Sequence, residues 1–280
     1  MILNYNSFIY EKLGINDDVI ILSDFLFDYL KNIKFEQNKS ITIDDIPNVS
    51  FKIKEIIIKF INYNNNIASF DISKSKYSKD GYKLYINLSN NYTKNELYHE
   101  LSNVIQHDKL TTKKIEYSLG NYNSVNNSIF KDKFNNLINM LYYSDDSEIS
   151  SFVHQVYSEM EIYFKKYNKN NSIFEYFLSN NNHYNISKYM INYDIFEDLK
   201  NIDEKEQILF FKYLYNLNNI KIKNNKFINK IYIAYKTLCI IFGKNDDSNL
   251  DDIKLKTQKF INNQGEKLNN KLIKLYGLIF

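Results

Sequence analysis

Hydrophobic and polar positions along this chain follow a helical period at first, alternate through residues 49–88, and return to the helical period from about residue 94. Residues 8–35 read as one or two helices. In DDVIILSDFLFDYLKNI, Val19, Leu22, Phe25, Leu26 and Leu30 share a stripe, and Asp17 and Asp18 suit the positive end of a helix. Pro47, the only proline, marks a loop. The stretch VSFKIKEIIIKFI is rich in β-branched and aromatic residues, and IASFDISKS is a second short strand candidate. YKLYINL alternates cleanly, with Tyr82, Leu84, Ile86 and Leu88 on one face and Lys83, Tyr85 and Asn87 on the other. The links YNNN and SKDG are turn-like. This pattern predicts a small antiparallel or mixed sheet packed on helices.

Thr93 and Glu96 form a Thr-x-x-Glu capping box, so a helix is expected from about Lys94 to about His107, with Leu97, Leu101, Val104 and Ile105 as its apolar stripe. Residues 112–128 read as a loop, and IFKDKFNNLINMLYY as a helix. Ser144 in SDDSE is the expected N-cap of the next helix. Its stripe is Ile149, Phe152, Val153, Val156, Met160, Tyr163, Phe164 and Tyr167, and the Asn-rich NKNNS ends it near residue 170. The remainder reads as helices, including EKEQILFFKYLYNL, FINKIYIAYKTLCIIF and a polar-faced stretch from Asp251. The fold class expected is α+β, with a sheet-bearing domain over residues 1–168 and an all-helical region over 169–280.

Composition narrows the partners. The 36 basic residues are all lysine and face 33 acids, for a net charge of +3. A chain without arginine forms no bidentate guanidinium clamp on phosphate. So even a balance argues against a nucleic-acid binder and leaves proteins as the expected partners. Asparagine is about one residue in seven, and with Lys, Ile, Tyr and Phe this reflects AT-rich codons. Aromatics are abundant, with 25 Tyr and 20 Phe but no Trp, so much of the burial must come from them. The single cysteine, Cys239, rules out an internal disulfide and reads as a core residue. There is no signal-peptide pattern at Met1 and no apolar run of the roughly 20 residues that a membrane span needs. A protein of a reducing compartment, not secreted, is the expectation.

Candidate chemistry is concentrated in ELYHELSNVIQHD, residues 96–108. In His-Glu-x-x-His, two imidazoles one helical turn apart reach a single Zn²⁺, and the Glu polarises the metal-bound water. Here His99 and Glu100 are in place, and Asn103 stands where the second histidine belongs. The stretch YKLYINLSNNYTKNELYHELSNVIQHD resembles the zincin metallopeptidase superfamily, which reads strand, loop, then His-Glu-Leu-x-His-x-x-Gln; Leu101, Val104, Ile105 and Gln106 also fit. LYYSDDSEISSFVHQVYSE resembles the second helix of the glutamate-type branch, in which a Glu is the third metal ligand. The resemblance covers roughly residues 15–165 and is similar to that of zincin-like proteins of tailed phages, crAss-like phages included. It implies remnant metal positions at His99 and Glu148 and a remnant general base at Glu100.

Asn103 is the departure, because a neutral amide is a poor zinc ligand beside imidazole. His107 lies eight residues past His99, roughly 12 Å along a helix, and cannot share its metal. His154 is roughly 240° round its helix from Glu148 and is expected to point elsewhere. His183 falls in an Asn-rich loop. The expected function is therefore a catalytically inactive zincin-like component, structural or in assembly, found in a phage particle or the host cytoplasm, with no tightly bound cofactor. The alternatives are a working zinc peptidase and a host-interaction module in which the motif means nothing.

Overall fold

The computed structural model describes residues 15–34, 36, 39–50, 52–61, 70–74, 79–88, 92–110, 127–167, 169–216 and 249–278, and every structural statement below concerns these. Residues 112–126 of the loop expected over 112–128, the helix carrying Cys239 and the YNNN link lie outside them, and Asn127 and Ser128 of that loop are already helical. The described chain is mixed α+β. Its order is α1 (Asp17–Lys31), β1 (Ser40–Ile43), β2 (Ile53–Phe60), β3 (Phe70–Lys74), β4 (Tyr82–Leu88), α2 (Lys94–Leu110), α3 (Asn127–Tyr143), α4 (Asp146–Phe164), α5 (Asn171–Asn180), α6 (Asn182–Ile191), α7 (Ile195–Leu199), α8 (Glu204–Asn216) and α9 (Leu250–Lys274), closed by a 3-10 turn at Leu275–Leu278. No described helix is long and apolar enough to cross a membrane. The chain forms two compact units: one from residues 1–112, 150–178 and 272–280, the other from 113–149 and 179–271.

The first unit carries a mixed sheet in the order β1-β2-β4-β3. β1 pairs antiparallel with β2, β2 parallel with β4, and β3 antiparallel with β4. The parallel register sets Ile56 beside Leu84, Ile58 beside Ile86 and Phe60 beside Leu88. All six are buried, so alternation on two strands builds one continuous apolar face. β4 thus behaves as its alternation predicts, with Leu84, Ile86 and Leu88 inward and Tyr85 exposed. β1 is an addition: the sequence supplied three strand candidates, and SITI, only four residues long, makes the fourth. β4 is entered through Gly81, at φ +111°, where a Cβ would lie 2.5 Å from the Lys52 carbonyl oxygen. Tyr82 N–H donates to that same carbonyl over 2.9 Å, so only glycine lets the two backbones come this close.

Helix α1 starts at Asn16, whose side chain accepts from Asp18 N–H, and it buries Val19, Leu22, Leu26 and Leu30. The Asp18 carboxylate accepts from both the backbone N–H and the hydroxyl of Ser50. α1 packs along α2, and α2 against β3. The helix expected to end near His107 continues to Leu110.

The second unit has its own core, from α3, α6, α7, α8 and α9. Phe134 and Phe210 stack at its centre with ring centroids 4.1 Å apart and planes 8° from parallel. Tyr193 is buried and donates to Asp198 over 2.5 Å; burial, then that carboxylate, pushes its phenol far above the usual range. α9 meets α6 along a stripe spaced by helical turns. Asn262 donates to the carbonyls of Met190, Ile191 and Tyr193, capping the end of α6. Gly265 follows, and Asn269 accepts from the Ser187 hydroxyl over 3.2 Å. At the start of α4, Lys267 and Gln264 reach Asp146. Burial works to raise this carboxyl, but Lys267 and Gln264 hold it below the usual carboxylate range.

Three local expectations are corrected here. Ser144 does not cap α4. Its hydroxyl donates to the Met140 carbonyl over 2.7 Å and closes α3, while Asp145 supplies the first α4 carbonyl, to Ile149. Tyr167 does not extend the α4 stripe, because the helix ends at Phe164 and Tyr167 is half exposed. His183 is not in a loop: it is buried in the first turn of α6, its N–H capped by Asn181.

Candidate functional site

The site helix α2 starts where the capping box predicts. Thr93 N–H donates to the Glu96 carboxylate over 2.8 Å, and Glu96 N–H donates back to the Thr93 hydroxyl over 3.2 Å. Thr93→Ala should lower the stability of the first unit by about 1 kcal/mol, read as a lower denaturant midpoint at unchanged slope. Lys94 pairs with Asp24 of α1 over 2.8 Å, and the buried Tyr98 donates to the same carboxylate over 2.8 Å. These contacts set the rotation of α2. Leu97, Leu101, Val104 and Ile105 then go inward, as their stripe predicts.

The same rotation turns Asn95, His99, Ser102 and Asn103 toward α4. Ser158 donates to Asn95 Oδ1 over 3.1 Å, and Asn95 reaches Glu159 over 3.4 Å. The His99 ring lies against Phe152, centroids 5.5 Å apart. Ser151 donates to Asn103 Oδ1 over 2.6 Å. Rising residue numbers on α2 meet falling ones on α4, so the two helices run antiparallel and are joined by a ladder of hydroxyls and amides. In a buried seam such groups must all find partners, and short serines on α4 let the asparagines of α2 approach.

His154 completes the ladder and is fully buried. Its Nε2 accepts from the backbone N–H of Asn16 over 2.9 Å. A backbone N–H can only donate, so the ring hydrogen sits on Nδ1, which points at the Ser150 carbonyl 2.8 Å away. Ser102 Oγ lies 3.1 Å from the same nitrogen. The spacing from Glu148 set this histidine aside; in the structure it faces α2, one residue from the Asn103 position. The pair with Ser102 is no nucleophile–base dyad, since Ser102 is completely buried and both ring nitrogens are engaged. A sequence signal for this seam did exist. Ser150, Ser151, His154 and Ser158 recur at helical spacing beside the apolar stripe of this helix.

The remaining candidates are placed as follows. Glu100 is half-buried on α2, next to His99. His107 lies in α2, its side chain outside the described residues. Glu148 is buried in the first turn of α4 and belongs to the second unit. There, burial and then the Glu148 charge raise the phenol of Tyr143.

The donor set on α2 does not fit a zinc ion. Asn103 offers a neutral amide oxygen, and that oxygen already accepts a short hydrogen bond from Ser151. His154 offers no lone pair to a metal, since its Nε2 holds Asn16. Among the described residues no three His, Cys, Asp or Glu side chains are grouped to hold a metal ion. What the arrangement does is lock two helices together. In comparisons with known proteins, no family model matches the chain, and neither do curated proteins or solved structures.

Proposed function

We propose that this chain is a catalytically inactive protein of zincin-like design, serving as a structural or assembly component of a phage particle. The observation that supports it best is the Ser151–Asn103 hydrogen bond, 2.6 Å long. The position that a zinc peptidase gives to its second imidazole is taken by an amide committed to its neighbouring helix. Glu100 then has no activated water to work on. On this reading its partners are proteins, met through helical faces rich in tyrosine, and zinc is not a resident cofactor.

Elemental analysis with a peptidase assay tests this. The natural protein should purify without stoichiometric zinc and should not hydrolyse peptides. Asn103→His, made with Ser151→Ala to free the space, should bind zinc more tightly than the natural chain by well over the roughly 10–100-fold that outer-shell partners contribute. That gain requires His99 to point at the new imidazole. One tightly held zinc per natural chain, with chelator-sensitive proteolysis lost in Glu100→Gln, would establish an active peptidase instead.

A further inference from the structure

We propose that His154 is an acid-sensitive latch: its unprotonated Nε2 ties the entry of α1 to the α2–α4 seam, and protonation of the ring releases that tie.

The geometry leaves one arrangement of protons. Asn16 N–H needs an acceptor 2.9 Å away, and Nε2 supplies it as a lone pair. Nδ1 lies 2.8 Å from a carbonyl oxygen, which only accepts. The ring is therefore neutral, with its single hydrogen on Nδ1. A second proton can go only to Nε2, where it would face the Asn16 N–H, donor against donor, at full burial. The groups described around the ring are these. From α1 the ring meets the Asn16 N–H, with the exposed Asp17 next along and the Asp18 carboxylate bound to Ser50. From α2 it meets the Ser102 hydroxyl, beside the His99 ring on Phe152 and the Asn103 amide on Ser151. From α4 it meets the Ser150 carbonyl, while the Glu159 carboxylate further along is engaged by Asn95 and Gln155. The Asn16 N–H, the Ser150 carbonyl and the Ser102 hydroxyl at its nitrogens are neutral groups.

Asn16 gives the latch its reach. Its side chain caps α1 from inside, while its backbone N–H, which points out of the helix, goes to His154. Losing the acceptor leaves the N–H of the half-buried Asn16 without this partner at the point where the chain enters α1. The sign of the pH effect follows. An unfolded imidazole takes its proton near the ordinary value of about 6.5, and the folded ring takes none without breaking the tie. The stabilisation is complete above that pH and is lost as the pH falls below it.

Two measurements on the full chain test the latch. Nitrogen NMR at pH 8 should show His154 with a bare Nε2 and a scalar coupling across the bond to the Asn16 amide. Unfolding equilibria should then be compared with those of His154→Gln, whose side-chain oxygen keeps an acceptor that does not titrate. The other three histidines are common to both chains and cancel. The ratio of unfolding constants, natural over variant, should rise by up to tenfold for each pH unit below about 6.5. A hydrogen on Nε2 at pH 8, or a ratio flat from pH 8 to 5, overturns the proposal. If the variant does not fold, Asn16 amide exchange in the natural protein decides. Its rate should stay nearly level below about pH 6.5, because opening gains up to tenfold per pH unit where the intrinsic exchange loses tenfold, and a full tenfold slowing per unit refutes the latch.

Discussion

Replacing Phe210 with alanine should destabilise the second unit by about 3–5 kcal/mol, the range for emptying a core of one buried ring. Phe210 is wholly buried and stacks on Phe134 at 4.1 Å, with Phe130 and Phe211 each 5.7 Å away. Rings on three sides hold one another in place, so the cavity has little to collapse into it. Burial of such a ring contributes through its area and also through pairing, about 0.5–1.5 kcal/mol for each aromatic contact. Urea unfolding should show a lower midpoint with little change of slope. Leu209, the preceding residue on α8, is 58% exposed, and its alanine variant should stay within about 0.5 kcal/mol of the natural protein. A Phe210→Ala loss no larger than that of Leu209→Ala would mean that this stack is not the centre of the unit.

Gly265→Ala should also destabilise, against the usual rule for helices. In an exposed helix interior the change would gain about 1 kcal/mol. Here the new Cβ would sit 2.7 Å from Met190 Cβ, 2.8 Å from the Ile191 nitrogen and 3.0 Å from the Ser187 carbonyl oxygen. Two of those atoms are backbone, so α9 must move away from α6 rather than a side chain turn aside. Overpacking of this kind costs about 1–3 kcal/mol net, and Gly265→Val should cost more. The shift would also strain the three carbonyl contacts of Asn262, one turn away. The neighbouring Glu266→Ala, on an exposed position, is the control and should be near neutral. A thermal midpoint raised by Gly265→Ala would show that the helices do not approach as closely as described.

Legibility followed the range of the interaction. The start of α2 was written locally, in Thr93 and Glu96, and the facing of β4 in its own alternation. The stripes of α1, α2 and α4 were legible for the same reason: burial repeats with the helix. Pairing was not. Nothing within KIKEIIIKF says that its neighbours are a four-residue strand on one side and a parallel strand on the other. Ser144 was misread because one hydroxyl suits either end of a helix, and the preceding carbonyl at Met140 wins. His183 was misread because asparagines suggest turns, yet Asn181 acts as a cap. Of the candidate site, the positions on α2 were legible and the role of the seam was not. The partner of Asn103 lies forty-eight residues away, and the tautomer that takes His154 out of metal chemistry is set by its neighbours, the Asn16 N–H and the Ser150 carbonyl, rather than by its spacing.

The first unit is completed by residues far along the chain. Leu272 and Leu275 are buried, Tyr276 meets Phe174 edge-on with centroids 5.3 Å apart and bonds to Asn171, and Leu278 walls a cavity of about 200 Å³ beside Met160 and Phe164. During synthesis the sheet and its helices therefore emerge long before the strip that seals them. Until the chain has been made through Leu278, Phe174 lacks its Tyr276 contact and the cavity lacks one wall. A nuclease-free translation arrest or a protease cut just before Leu272 would leave most of the second unit's sequence intact, and the damage would register in the sheet-bearing unit. The first unit is thus complete only when residues 272–278 have been added to it.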